Sequence, residues 1–146
     1  MTKTPKPTGA SEVHVLTVRT TGRTELQDVT DKIAAAVRDS GCVSGICHLY
    51  VPHTTAGIII NEGYDPAVAH DIEAAFDRLV PRVANSAHAE GNSDSHIKTA
   101  LVGSSESIWI AGGKLALGRW QAIFFAEFDG PRSRELRIKI VPDALT

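Results

Sequence analysis

Glu135-Leu-Arg-Ile-Lys-Ile-Val141 sets Leu136, Ile138 and Ile140 at every second position, with Arg137 and Lys139 between them. Successive side chains of a strand point to opposite faces, so this alternation predicts an antiparallel strand with one face on a core and the other in water. Working back along the chain, residues 107–111 and 115–128 are two more strand-like stretches. Residues 43–51 and 56–61 form another such pair, and residues 13–20 are rich in the β-branched types that favour a pleated surface. Strands therefore dominate both ends of the chain.

The helical signals lie between them. Val29, Ile33 and Val37 recur every fourth residue, with Asp28 or Thr30 as N-cap and Gly41 as the stop. The clearest helix covers residues 66–80, where Asp65 caps, Pro66 suits the first turn and Pro81 ends the run. Its core face is Val68, Ile72, Ala75, Phe76 and Leu79. Asp71 flanks that stripe while Glu73 and Asp77 point further away, so Asp71 is either the acid that reaches a partly buried site or a boundary carboxylate. A polar loop over residues 84–94 carries His88. A short helix then starts at Asp94 or Ser95 and runs through Lys98 to Leu101, with His96 in its first turn. Strand pairs around two or three helices, without regular strand–helix alternation, predict an α+β fold.

At 146 residues the chain fits one domain. Residues 1–11 read as a flexible tail and residues 12–146 as the domain. A hydrophobic content of 42% and a net charge of -2 suit a soluble protein and give no field that attracts nucleic acid or an anionic membrane. No apolar run reaches the roughly 18 residues of a membrane span, and the first residues lack a secretory apolar core, so a cytoplasmic location is expected. Six basic residues between Lys114 and Lys139 face only Glu127, Asp129 and Glu135, which fits a local basic patch or alternating solvent-facing positions. Cys42 and Cys47 stand five apart in an expected strand, hence on opposite faces and not bridged.

Three histidines, His53, His88 and His96, occupy polar, turn-like surroundings. Three imidazoles with an open fourth position make a catalytic type of metal site, although the spacing is no zinc-finger pattern and the fold must assemble it. A solvated loop histidine is the plainer alternative for each.

The ordered set His53-Thr-Thr-Ala, Asn61-Glu62, Asp65-Pro-Ala-Val with Asp71, His88, Ser95-His96-Ile-Lys98, Gly118-Arg-Trp120-Gln121, Glu127 and Gly130-Pro-Arg132-Ser-Arg134 resembles the YjbQ family, whose members are called secondary thiamine-phosphate synthases. The resemblance spans residues 13–142 and implies an α+β protein with a β-sandwich, assembled as a homotrimer. It implies a divalent metal on His53, His88 and His96, zinc as first choice and magnesium as a catalytic alternative. Asn61, Asp65, Asp71 and Glu127 match its polar cluster, where they orient imidazoles or bind substrate. Lys98 is a candidate phosphate contact or a plain surface lysine. Trp120 stacks on a pyrimidine or serves as a core or interface aromatic. Two residues depart from the pattern: Arg119 replaces an expected threonine, and Ala69 replaces an arginine that would have contacted an anion.

The activity so implied joins hydroxymethylpyrimidine diphosphate to thiazole phosphate, giving thiamine phosphate and pyrophosphate, with a small phosphorylated substrate in the site. Asp71, Glu127 and Lys98 are the catalytic candidates; Asn61, Asp65, Trp120 and Arg119 are the binding candidates. Two rival readings are metal-assisted hydrolysis of phosphate esters with Asp71 or Glu127 as base, and a trimeric metal- or ligand-binding protein without turnover.

Overall fold

The computed structural model describes residues 12–82 and 87–144. It is an α+β domain of two antiparallel sheets and three helices. The strands are β1 (Val13–Arg19), β2 (Glu25–Asp28), β3 (Gly45–Tyr50), β4 (Ala56–Glu62), β5 (Ser105–Ala111), β6 (Lys114–Leu115), β7 (Gln121–Glu127) and β8 (Ser133–Pro142). The helices are α1 (Thr30–Ser40), α2 (Pro66–Leu79) and α3 (Ser93–Val102). One sheet has the order β1-β8-β3-β5-β6 and the other β2-β7-β4. The tail expected over residues 1–11 lies outside the described residues, as does part of the loop expected over 84–94.

β8 carries the alternation read from its sequence. Leu136 and Ile138 are buried against the core while Arg137 and Lys139 are exposed. Its partners keep the register: Leu49 lies opposite Ile138, and Cys47 opposite Ile140. The outward row is less polar than β8 alone suggests. Val13, Val15, Tyr50, Trp109 and Val141 all stand on that side of the five-stranded sheet and are exposed.

β7 is the centre of the smaller sheet, between β2 and β4 and in contact with α1, and is buried from Ala122 to Glu127. Ile123 and Phe125 join the core shared by the sheets, whereas Phe124 borders a cavity beside α2. The expected strand over 115–128 is thus two strands, separated at Gly118, Arg119 and Trp120. β2 has no counterpart in the sequence reading; four residues without alternation give no periodic signal.

α1 ends at Gly41, whose φ of 69° lies in the left-handed region glycine enters at little cost. Val29, Ile33 and Val37 are buried as their spacing requires, but the N-cap position is Val29 and not Asp28 or Thr30; Asp28 accepts from the Thr30 amide at 2.9 Å just ahead of the helix. α2 follows its predicted bounds, and the Asp65 side chain accepts a 2.9 Å bond from the Ala67 amide. Val68, Ile72, Ala75 and Phe76 are half-buried on the expected face, but Leu79 is 75% exposed and Asp71 is exposed, whereas Glu73 bonds to the Leu26 amide on β2 and Asp77, itself exposed, bonds to Lys98 on α3. α3 begins slightly earlier than expected, with Asn92 at its cap.

Cys42 precedes β3 instead of lying in it, so both cysteines enter one core, free and buried. Burial, with Cys42 nearby, pushes the Cys47 thiol up to about 11, which makes it an inert apolar filler at neutral pH. The basic stretch divides among local partners. Arg132 pairs with Asp129, Arg134 with Glu127 and Arg137 with Glu135, while Arg119 lies over Trp120. Among the described residues no helix is long and apolar enough to cross a membrane.

Candidate functional site

β4 carries the chain to Glu62, a tight turn follows through Gly63 and Tyr64, and α2 opens at Asp65. The Gly63 amide donates to the Trp120 carbonyl at 2.9 Å, which ties this turn to the segment before β7. A side chain at Gly63 would collide with that of Ala122, so glycine is what permits the close approach. On the other side, the Gln121 side chain accepts from the Gly118 amide at 2.8 Å and shapes the loop presenting Arg119 and Trp120.

These two turns frame a cleft. A cavity of about 720 Å³ is lined by Glu62, Tyr64, Asp65, Pro66 and Trp120. A second, of about 320 Å³, shares Glu62, Asp65 and Pro66 with it and runs along α2 past Ala69, His70 and Glu73 toward Asp28 and Phe124. The Tyr64 and Trp120 rings meet edge to face at 5.1 Å, and the Arg119 guanidinium lies 4.8 Å from the Trp120 ring centre. Both aromatics are exposed, Tyr64 by 77% and Trp120 by 46%.

The charge of the lining is one-sided. Asp28, Glu62, Asp65 and Glu73 border the two cavities. Three of them accept backbone bonds, from Thr30, Ala67 and Leu26 respectively. Among the described residues none of the four has a lysine or arginine at ion-pair distance; Glu73 has only His70, 4.0 Å away. Of the expected binding residues, Asp65 and Trp120 line the cleft and Arg119 lies over Trp120. Asn61 is next to them, but its side chain turns to the Glu62 amide. Tyr64, Glu62, Asp28, His70 and Glu73 were missed. An exposed tyrosine just before a helix cap was the one local signal available.

The catalytic candidates do not reach this cleft. Glu127 is fully buried and saturated: Arg134 grips both its oxygens, at 2.9 and 2.5 Å, Thr20 donates at 2.7 Å, and the amides of Phe128 and Asp129 add two bonds. Burial pushes its pKa up, but the bonds from Arg134, Thr20 and Asp129 outweigh that and hold it below the ordinary value. It is a charge that fastens β7 to β8, not a base facing solvent. Lys98 is 1% exposed, held by Asp77 at 2.6 Å with Asp94 at 3.8 Å, and is no surface or phosphate-facing lysine. Arg23 completes this group through bonds of 3.0 and 3.2 Å to Asp94. Asp71 is exposed, whereas on the same helix Glu73 bonds to the Leu26 amide and Asp77 to Lys98.

The three histidines separate into a pair and a single residue. His88 and His96 have ring centres 5.2 Å apart, with Glu90 3.6 Å from His88 Nε2. His53 Nε2 instead accepts the Glu135 amide at 2.9 Å, extending the strand pairing beyond β3. That bond leaves the proton on Nδ1, so neither ring nitrogen of His53 offers a free lone pair. Burial first, then the nearby Arg134, lowers its pKa. Among the described residues no three histidine, cysteine or acidic side chains come together as a metal cage.

A family model described as "UPF0047 protein YjbQ-like" matches residues 14–143. A relative from Methanocaldococcus jannaschii is 54% identical over 126 residues, covering 86% of this chain and 91% of its own length. One from Bacillus subtilis is 43% identical over 127 residues, 86% and 96% of the two chains. The crystal structure of a family protein from Clostridium acetobutylicum superposes with a TM-score of 0.85 at 45% identity, covering 88% of this chain and 99% of that one. Another, from Sulfolobus solfataricus P2, gives 0.86 at 30% identity, covering 90% and 97%, and is described as a protein of unknown function. These relatives are described by a family designation or as of unknown function, and no thiamine-phosphate synthase activity is named for them, which overturns the activity drawn from the resemblance. What the near-complete match does establish is membership: the chain belongs to the UPF0047 family of YjbQ-like proteins.

Proposed function

We propose that this protein binds a small organic molecule in the cleft between the start of α2 and the Trp120 loop, and that it does so as a homotrimer. The observation that carries the reading is the cavity of about 720 Å³ walled by two exposed aromatics and by Glu62 and Asp65. Exposed aromatic rings at a concave polar surface supply contact area to a ligand without conformational rearrangement of the scaffold. A phosphorylated ligand draws no support from this lining, which offers carboxylates where lysine or arginine would be needed. Binding, without an assigned reaction, is the function the arrangement supports, because Asp71, Glu127 and Lys98 lie elsewhere.

The trimer is supported by the family resemblance and by the apolar side chains on the outer face of the five-stranded sheet, among them Trp109 at 74% exposure. Such a patch on a free monomer marks a contact surface. The cleft is tested by recording indole N–H and tyrosine resonances while a library of small polar aromatics is titrated in. Saturable shifts at Trp120 and Tyr64, abolished in Trp120→Ala, are expected. Shifts confined to other regions would overturn the assignment of the cleft.

A further inference from the structure

We infer that the ligand of this cleft is an organic cation, a quaternary or protonated amine carried on a flat or compact apolar group; the inference rests on the cleft being the binding site. Two independent features of the lining point to that class. The first is the Trp120 face, which already holds a cation, since the Arg119 guanidinium lies 4.8 Å from its ring centre. The quadrupole of an indole attracts positive charge at that distance, and Tyr64, 5.1 Å away and edge on, extends the same wall. Arg119 belongs to the loop beside the cavity and is itself exposed, so a ligand cation can replace it there at little cost.

The second feature is the set of carboxylates. Asp28, Glu62, Asp65 and Glu73 line the joined cavities, whose described lining contains no lysine or arginine. The α2 N-terminus carries the positive end of the helix dipole and would attract an anion, but Asp65 accepts the Ala67 amide and puts a negative charge at that end. At the next turn Ala69 adds no charge. Glu62 and Asp65, common to both cavities, are then placed to meet the cationic head while Trp120 and Tyr64 cover the apolar body.

The test uses three compounds of similar size on the full-length protein: phenyltrimethylammonium, neutral tert-butylbenzene and phenylphosphonate. The readout is the Trp120 indole N–H resonance, with Trp109 as internal control. Phenyltrimethylammonium alone is expected to shift Trp120 saturably. Glu62→Gln, an isosteric change at the rim, should weaken it about fivefold, and Trp120→Leu, read from the Tyr64 ring resonances instead, about tenfold, from the size of exposed ion-pair and cation–π interactions. A shift by phenylphosphonate, or an equal response to tert-butylbenzene, would overturn the cation class and leave the cleft standing as a binding site. No response to any of the three at Trp120 would overturn both. Retained folding of each variant is read from the dispersion of the same spectra.

Discussion

Removing the carboxylate charge of Glu127 would leave the Arg134 guanidinium buried without its counter-ion. Breaking such a pair on one side costs about 3–5 kcal/mol, so Glu127→Gln is expected to lower unfolding stability by roughly that amount in urea titrations. The same residue governs acid behaviour. Glu127, Asp94 and Asp129 all have folded-state pKa values below the ordinary 4.5 and 3.8, because the bonds to Arg134, Arg23 and Asn92 outweigh the opposing effect of burial. A lowered value contributes stability that is complete above the ordinary pKa and disappears as pH falls through the folded one. The thermal midpoint should therefore hold down to about pH 5 and fall steeply below about pH 4, with a shallower acid limb in Glu127→Gln. A midpoint independent of pH in that range would refute the account. The sequence marked Glu127 as functional by its motif. Its actual role came from a partner seven residues later, on the facing strand of the other sheet, which no local pattern encodes.

Each helix has an inner and an outer face, and that division decides which charges matter. On α2 the comparison is between Asp71, exposed and unshared, and Asp77, bound to the buried Lys98. Asp71→Asn should change stability by less than about 0.5 kcal/mol. Lys98→Met, which leaves Asp94 and Asp77 without their ammonium, should cost several times more, about 3 kcal/mol. Equal effects in parallel denaturation curves would mean that the described facing of α2 is wrong. At the start of the same helix, Asp65→Ala should cost about 1 kcal/mol through the lost cap, while Asp65→Asn retains the cap and most of the stability. The cap was legible because it depends on adjacent residues. Most of the inner stripe was legible too, since Val68, Ile72, Ala75 and Phe76 are half-buried; which acids find partners was not, because Glu73 bonds to β2 and Asp77 to Lys98 of another helix.

For the whole molecule, the outer face of the five-stranded sheet is the feature that one chain leaves incomplete. Val13, Val15, Tyr50, Trp109 and Val141 stand there among charged neighbours. Sedimentation equilibrium should give three chains per particle. Trp109→Glu, which places a charge on that apolar face, should shift the distribution toward monomer without unfolding it. A wild type that sediments as a monomer at all concentrations would remove the trimer from the proposal.

The sequence by itself determined the α+β class, the strands with period-two alternation, the Gly41 stop of α1, the Asp65 cap of α2, and the family, because these depend on short-range spacing and on the order of motifs along the chain. Tertiary structure alone decided which side chains meet. It buried Glu127 and Lys98 in ion pairs, tied His53 to the Glu135 amide and left His88 with His96. It also assembled a cleft from Glu62, Tyr64, Asp65 and Trp120. Those pairings join residues up to 82 positions apart, and their geometry follows from how two sheets and three helices share one core.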